Sequence, residues 1–319
     1  MSSGILEGPV VVASAGSELT NDPTSEVVAR AMMAPLLVVT DGGRASAAVL
    51  HVAGALAKRD GGLVEVLVVE QPLPVPATNG RDDGMTSGEW KPLERTALDR
   101  VRRQLCAILG ARGWNFRFEF GRVGSTIANA AKSCGARLVV TGLRDDARHL
   151  LGSDTAIRVT TSARVPVLAV AAFAQVLPQR AVVAIDFSPA SVSAARAVRD
   201  LLASPAILHL VHVRSALRPA PAGTNKWQAI YEADMSVHLG KLAKELSRGG
   251  LTVTGRTECG DTVDSLLRFA RDVDADLIAC GTHSFSALGQ STLGSVPTKL
   301  LRAAECSVLI APSPTRPNE

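Results

Sequence analysis

The residues best suited to bind a ligand lie between Gly281 and Ser295, after a buried strand and before a helix. Small polar side chains fill this segment, and Gly294 directly precedes Ser295 where the helix opens. Glycine lets a ligand approach the backbone closely, and the first amides of a helix carry the positive end of its dipole. Because such helix starts bind anions, the pattern predicts a phosphate-binding loop that ends with the amide of Val296.

Polar side chains add to this candidate site. Ser295 either caps the helix or turns its hydroxyl toward a phosphate oxygen. His283 is either a phosphate contact or a surface histidine, and Ser284 follows it in the loop. Asp186 comes directly after an apolar run, at the carboxyl end of a predicted strand. Ligands of open parallel sheets bind beyond that edge, so we expect Asp186 to lie beside the loop.

These residues belong to the second of two similar halves of the 319-residue chain. The first half runs from about Leu37 to Val170 and the second from about Val182 to Ala311. The same number of residues separates Gly121 from Gly142 and Gly260 from Gly281. A repeat of this length indicates a duplicated domain rather than a solenoid.

Strand and helix patterns alternate in both halves. The predicted strands are 35–40, 63–69, 115–120, 137–141, 167–170, 181–185, 207–213, 252–258, 276–280 and 307–310. The predicted helices are 45–59, 92–113, 125–132, 154–163, 190–203, 227–248, 263–271 and 295–304. This order predicts an α/β fold of two doubly wound domains, each an open, five-stranded, mostly parallel sheet with helices on both faces.

The domain limits follow from these elements. We expect a first domain at 34–174 and a second at 178–313, joined by a short linker. Residues 1–33 are expected to form a poorly ordered or loosely docked extension.

The chain resembles a tandem universal stress protein over roughly residues 34–313. The nucleotide-binding branch of that family carries G-x2-G-x9-G-[S/T] after the fourth strand. Gly281, Ser284, Gly294 and Ser295 match this motif, with serine in place of the second glycine. The resemblance implies a Rossmann-like fold of the adenine nucleotide alpha hydrolase type.

Two further positions carry the resemblance. Asp186 matches the family's aspartate after the first strand, and the run from His209 to Val213 matches its second-strand signature. The resemblance implies that Asp186 contacts the adenosine of a bound ATP or related nucleotide and that Val213 lines the adenine pocket. The loop from Gly281 to Ser295 would hold the ribose and the phosphates, with Mg²⁺ accompanying the nucleotide.

The first half departs from this pattern. Gly142 and Gly152 are three residues closer together than Gly281 and Gly294. Asp145 and Asp146 stand near the position of the second glycine, and carboxylates repel a polyphosphate. We therefore predict a degenerate nucleotide site in the first domain and a candidate nucleotide site in the second.

Three functions remain open at this point. The first is a stress-response regulatory protein that binds ATP or a related adenine nucleotide in its second domain. The alternative is a nucleotide-free scaffold that acts through dimerisation and partner binding. An enzyme is the third, with at most slow ATP hydrolysis, because the chain lacks a P-loop and the H-x-G-H and S-G-G-x-D-S patterns of adenylate-forming relatives. We predict no dedicated catalytic residues.

Composition argues against several other classes. The net charge is only +4 and aromatic residues make up 3% of the chain, which disfavours a nucleic-acid partner. No apolar run is long enough for a membrane span, and the start does not resemble a signal peptide. The five cysteines form no CxxC pair, so we expect reduced thiols, a cytoplasmic protein and no protein-bound metal.

The last strand of each half predicts how the halves associate. Strands 167–170 and 307–310 should lie at sheet edges, and an open edge favours pairing. We expect the two halves to pair with each other as an internal pseudo-dimer; a further homodimer stays open.

Overall fold

The computed structural model describes residues 34–42, 46–70, 95–96, 98–104, 106–107, 114–143, 152–214, 225–282 and 293–314. In the first half, five strands alternate with three helices for which the structure gives both ends. They are β1 (Leu36–Val39), α1 (Ser46–Asp60), β2 (Val64–Glu70), β3 (Asn115–Phe120), α2 (Val123–Cys134), β4 (Leu138–Gly142), α3 (Gly152–Ser162) and β5 (Val167–Val170). The described residues of 95–107 are also helical.

The second half repeats this order. Its elements are β6 (Arg180–Ala184), α4 (Pro189–Leu201), β7 (Ala206–Arg214), α5 (Asn225–Leu246), β8 (Leu251–Cys259), α6 (Thr262–Asp272), β9 (Leu277–Gly281), α7 (Ser295–Ala303) and β10 (Ser307–Ala311). The predicted fold class is confirmed, and the ends of the elements listed above differ from the predicted ends by at most two residues. The predicted extension at 1–33 lies outside the described residues.

All ten strands form one sheet in the order β3-β2-β1-β4-β5-β10-β9-β6-β7-β8. Within each half every pairing is parallel, and β5 and β10 join the halves by the one antiparallel pairing among the described strands. Val308 lies opposite Ala169 and Ile310 opposite Val167. This pairing agrees with the expected internal pseudo-dimer, and it removes two exposed strand edges.

The two halves share one hydrophobic core. A single buried cluster on the α1 and α4 side of the sheet includes Val38 and Val140 from the first half and Val183 and Ala279 from the second. Arg59, near the end of α1, donates to the carbonyls of residues 200–202 at the end of α4. A cation at a helix carboxyl end is favourable, so Arg59 reinforces the junction between the halves.

Candidate functional site

A cavity of about 250 Å³ opens at the carboxyl ends of β6, β7 and β9. Six residues predicted from the sequence line it: Asp186, Val213, Gly281, Gly294, Ser295 and Val296. The other two, His283 and Ser284, lie outside the described residues. The parallel strands bring segments that are more than a hundred residues apart to a single edge of the sheet, where open α/β folds bind ligands.

Asp186 is exposed at the mouth of this cavity, where the chain turns from β6 into α4. Its Oδ1 accepts the amide N–H of Ser188 at 2.9 Å. Ser188 caps α4, because its hydroxyl accepts the amide N–H of Ser191 at 3.2 Å. Between them, Phe187 adopts φ 61, a left-handed conformation that is unusual for a bulky residue. The turn fixes one carboxylate oxygen of Asp186 and leaves Oδ2 without a partner among the described residues.

His212 supports the same turn from the neighbouring strand. Its Nδ1 lies 2.7 Å from the carbonyl oxygen of Ile185, and its Nε2 lies 2.8 Å from the hydroxyl of Tyr231 in α5. Since a carbonyl only accepts, Nδ1 carries the proton and donates it to Ile185. His212 therefore connects the end of β6, next to Asp186, with α5.

His209 lies on the opposite face of β7, as the strand alternation predicts. Its Nδ1 lies 2.8 Å from the hydroxyl of Thr254, and its ring packs edge-on against Phe269 of α6. Burial lowers the pKa of His209, and the nearby positive charges of Arg180 and Arg256 lower it further. The two histidines thus have separate structural environments.

Gly281 has a packing role in addition to its place in the cavity lining. A Cβ on this residue would lie 2.6 Å from the Cβ of Ala190 and 2.9 Å from the amide nitrogen of Ser191. Its φ is outside the left-handed region, so no special turn requires glycine here. The absence of a side chain allows the start of α4 to pack directly on the end of β9.

The start of α7 excludes one of the two roles left open for Ser295. Gly294, rather than Ser295, is the N-cap residue, and Ser295 is the first residue of the helix. The Gly294 amide donates to the Thr282 carbonyl oxygen at 3.0 Å, which closes the loop onto the end of β9. Among the described residues, no group accepts a hydrogen bond from the amides of Ser295 and Val296. The helix start is consequently open toward the cavity.

Several lining residues were missed by the sequence analysis. Thr282 and Cys280 flank Gly281, and Thr262 comes from the start of α6. Burial, together with the nearby carboxylate of Asp186, strongly raises the pKa of the Cys280 thiol, which keeps it neutral. The two residues beside Gly281 could have been found from strand alternation, whereas no local signal indicates that Thr262 reaches this cavity.

The corresponding edge of the first half is arranged differently. Oδ1 of Asp41 accepts the hydroxyl of Ser46 at 2.9 Å. The Gln104 side chain donates to the Gly42 carbonyl at 2.9 Å, so the helical segment of 95–107 contacts the turn that follows β1. Leu143, which follows β4 as Thr282 follows β9, is buried in an apolar cluster. The predicted carboxylates Asp145 and Asp146 lie outside the described residues.

The described residues contain neither a cluster of metal ligands nor a helix suited to span a membrane. No group of three or more His, Cys, Asp and Glu side chains there is close enough to hold a metal ion. Among the described helices, none combines the length and the apolar character that a bilayer span demands.

Comparison with known proteins agrees with the duplicated fold. The model of the universal stress protein family matches the chain twice, at residues 32–171 and 178–312. A protein of Staphylococcus saprophyticus that is assigned to the same family is 38% identical over 52 residues, a match that spans 16% of this chain and 31% of that relative.

Two solved structures share the whole tandem arrangement. A universal stress protein from Archaeoglobus fulgidus aligns over 88% of this chain and 96% of its own, with a TM-score of 0.62 and 20% identity. A protein of unknown function from Pseudomonas aeruginosa, PA1789, aligns over 89% and 94%, with a TM-score of 0.55 and 16% identity. At these identities the likeness shows the fold.

Proposed function

Because the chain belongs to the universal stress protein family, we propose that it is a stress-response regulatory protein that binds an adenine nucleotide in its second half. The observation that carries this proposal is the cavity beside Asp186. It combines an apolar wall, a carboxylate with an open oxygen and a helix start with open amides. A nucleotide offers one complementary group to each of these features.

The apolar part of the cavity lining suits a purine base. Ala184, Val211, Val213 and Cys280 line it, all from strands at the sheet edge. Ligand pockets combine such apolar walls with a few polar groups that set the orientation. Asp186 supplies the polar group, because Oδ2 is available to accept a hydrogen bond from a ribose hydroxyl or from the amino group of adenine.

The start of α7 suits phosphate. The amides of Ser295 and Val296 stand at the positive end of the α7 dipole, and the side chain of Ser295 is exposed beside them. The described residues offer no cluster of carboxylates for a metal. Mg²⁺ entering with a nucleotide would therefore be bound mainly by the phosphate oxygens of the nucleotide.

Calorimetry of the full chain with AMP and with MgATP tests the proposal. We expect one nucleotide per chain, because the first half lacks an equivalent arrangement in its described residues. If neither nucleotide produces binding heat at millimolar concentration, the proposal is wrong, and a nucleotide-free scaffold becomes the better account of the protein.

A matched pair of variants tests the position of the site. Asp186→Ala removes the carboxylate beside the cavity and should weaken binding about tenfold, the effect of losing one charged hydrogen bond. Asp41→Ala changes the aligned residue of the first half and should leave affinity unchanged. Equal losses in both variants, or a loss in Asp41→Ala alone, would contradict placement of the nucleotide in the second half.

A further inference from the structure

The helix start that faces the cavity offers fewer N–H donors than an ordinary helix start. An α-helix leaves its first four N–H groups without intrahelical partners. In α7 the Gly294 amide is used by the Thr282 carbonyl, and the fourth position is Pro297, which has no N–H. Only the amides of Ser295 and Val296 therefore remain for an anion among these four positions.

A threonine hydroxyl adjoins this helix start, because the Thr282 carbonyl oxygen accepts the Gly294 amide. Thr282 lines the cavity with 7% of its surface exposed, and its hydroxyl makes no hydrogen bond to any described residue. A hydroxyl in a cavity wall that has no protein partner is available to donate to a phosphate oxygen. Together with the hydroxyl of Ser295, the described residues at this helix start offer two amides and two hydroxyls, enough for the oxygens of one phosphate group.

The charge of the cavity disfavours additional phosphates that carry no metal ion. The lining that the structure describes includes the carboxylate of Asp186 and neither lysine nor arginine. Lys299 of α7 lies near Asp261, outside this lining, where the amides of Asp264 and Val263 and then Lys299 lower the pKa of the Asp261 carboxyl. The α7 dipole offers only about half a positive charge. Further phosphoryl groups would add negative charge without a matching cation from the described residues, so only Mg²⁺ carried by the nucleotide could offset it.

We infer that the site selects an adenine nucleotide with a single phosphate group over a triphosphate. The adenine part of this inference rests on the proposed function, and the number of phosphates rests on Pro297, Thr282 and the charge of the lining. Pro297 acts as a specificity determinant by deleting the amide that would extend the donor array toward a second phosphate.

The native protein provides the first test. Calorimetric titrations of the full chain with AMP, ADP and MgATP at one ionic strength should show affinity falling as phosphates are added. We expect AMP to bind about tenfold more tightly than MgATP, the effect of one charged hydrogen bond. MgATP binding as tightly as AMP would overturn the inference and leave the proposed function intact, whereas no binding by any of the three would remove both.

Variants at proline provide the second test. Pro297→Ala restores the missing N–H and should move the AMP-to-MgATP affinity ratio several-fold toward MgATP. Pro189→Ala is the matched control, because Pro189 also lies in the first turn of a helix but outside the cavity lining. It should leave the ratio unchanged.

A ratio that stays the same in Pro297→Ala, or shifts equally in Pro189→Ala, contradicts the assignment. Thermal unfolding establishes that each variant is folded. If Pro297→Ala is too unstable to titrate, Pro297→Ser restores the same amide with a different side chain and serves the same comparison.

Discussion

Leu143 and Thr282 occupy the same place in the two halves, directly after the fourth strand. The Leu143 amide donates to Val170 at 2.8 Å and the Thr282 amide to Ala311 at 2.9 Å, so the backbone is the same. The side chains differ: Leu143 joins an apolar cluster, whereas Thr282 lines a cavity. The sheet requires the backbone hydrogen bonds in both halves, but a ligand constrains the side chain only where it binds.

The aspartates after the first strand show the same divergence. Asp41 accepts the hydroxyl of Ser46, whereas Asp186 accepts the amide of Ser188. Ser191, which aligns with Ser46, instead donates its hydroxyl to the Ser188 carbonyl oxygen at 3.0 Å. The first turn of α1 thus holds the carboxylate of Asp41, whereas the turn between β6 and α4 holds that of Asp186. Only the arrangement in the second half directs the carboxylate to the cavity mouth.

The largest expected effect concerns the glycines that end the fourth strands. Gly281→Ala would place a Cβ against the backbone of Ala190 and should lower the free energy of unfolding by about 3 kcal/mol. Among the described residues, a Cβ at Gly142→Ala meets only Val49, at 3.9 Å, and the change should cost less than about 0.5 kcal/mol. Urea unfolding measures both variants. Equal costs would mean that the two halves pack their first helices in the same way.

Exchange of the residues after the fourth strands should separate stability from binding. Leu143→Thr places a hydroxyl in an apolar cluster and should cost about 2–3 kcal/mol in unfolding free energy. Thr282→Leu removes the hydroxyl from the cavity lining and should weaken AMP binding at least about tenfold in calorimetry, with the fold preserved. If Thr282→Leu binds AMP as tightly as the native protein does, the Thr282 hydroxyl has no part in binding and the proposed difference between the halves at this position is wrong.

His212 distinguishes the halves on the second strand, since Val68 occupies its place in the first half. His212→Val removes the bonds to Ile185 and Tyr231 and should lower the free energy of unfolding by about 1–2 kcal/mol. Tyr231→Phe removes only the second bond and should cost less. A cost for Tyr231→Phe as large as that for His212→Val would show that the bond to Ile185 contributes nothing.

The smallest effect concerns the helix that follows the third strand. Asp261 caps α6 by accepting the amides of Val263 and Asp264, whereas Arg122 at the start of α2 makes no side-chain cap. The amides of Asp264 and Val263 and then Lys299 lower the pKa of Asp261, so its contribution is present above the unfolded pKa of about 4 and is lost as the pH falls through the folded pKa.

Asp261→Ala should therefore be slightly less stable than the native protein near neutral pH, and the difference should shrink below about pH 4. Arg122→Ala should show no such pH dependence. Urea unfolding at a series of pH values measures both. A difference that persists unchanged in acid would mean that Asp261 acts through something other than its ionised carboxylate.

The residues near Asp186 show how far sequence reasoning reached. Apolar runs of β6 and β9 located the strands, and the topology of parallel sheets then predicted that Asp186 and Gly294 lie at one edge. The close packing of Gly281 against Ala190 was not predictable from the sequence. Ala190 lies 91 positions away in the chain, and only the packing of α4 brings it close. The sequence left the cap of α7 undecided, since either Gly294 or Ser295 satisfies the local pattern.

The amino-acid pattern was sufficient for the elements, their order and the duplication, because apolar periodicity, helix caps and turn residues act over a few neighbouring positions. Contacts between distant segments determine three features of the site: the volume of the cavity, the Oδ2 of Asp186 that is unpaired among the described residues, and the hydrogen bond from the Gly294 amide to the Thr282 carbonyl. Only the folded chain decides them, because which donors remain available to a ligand depends on which partners packing has already supplied.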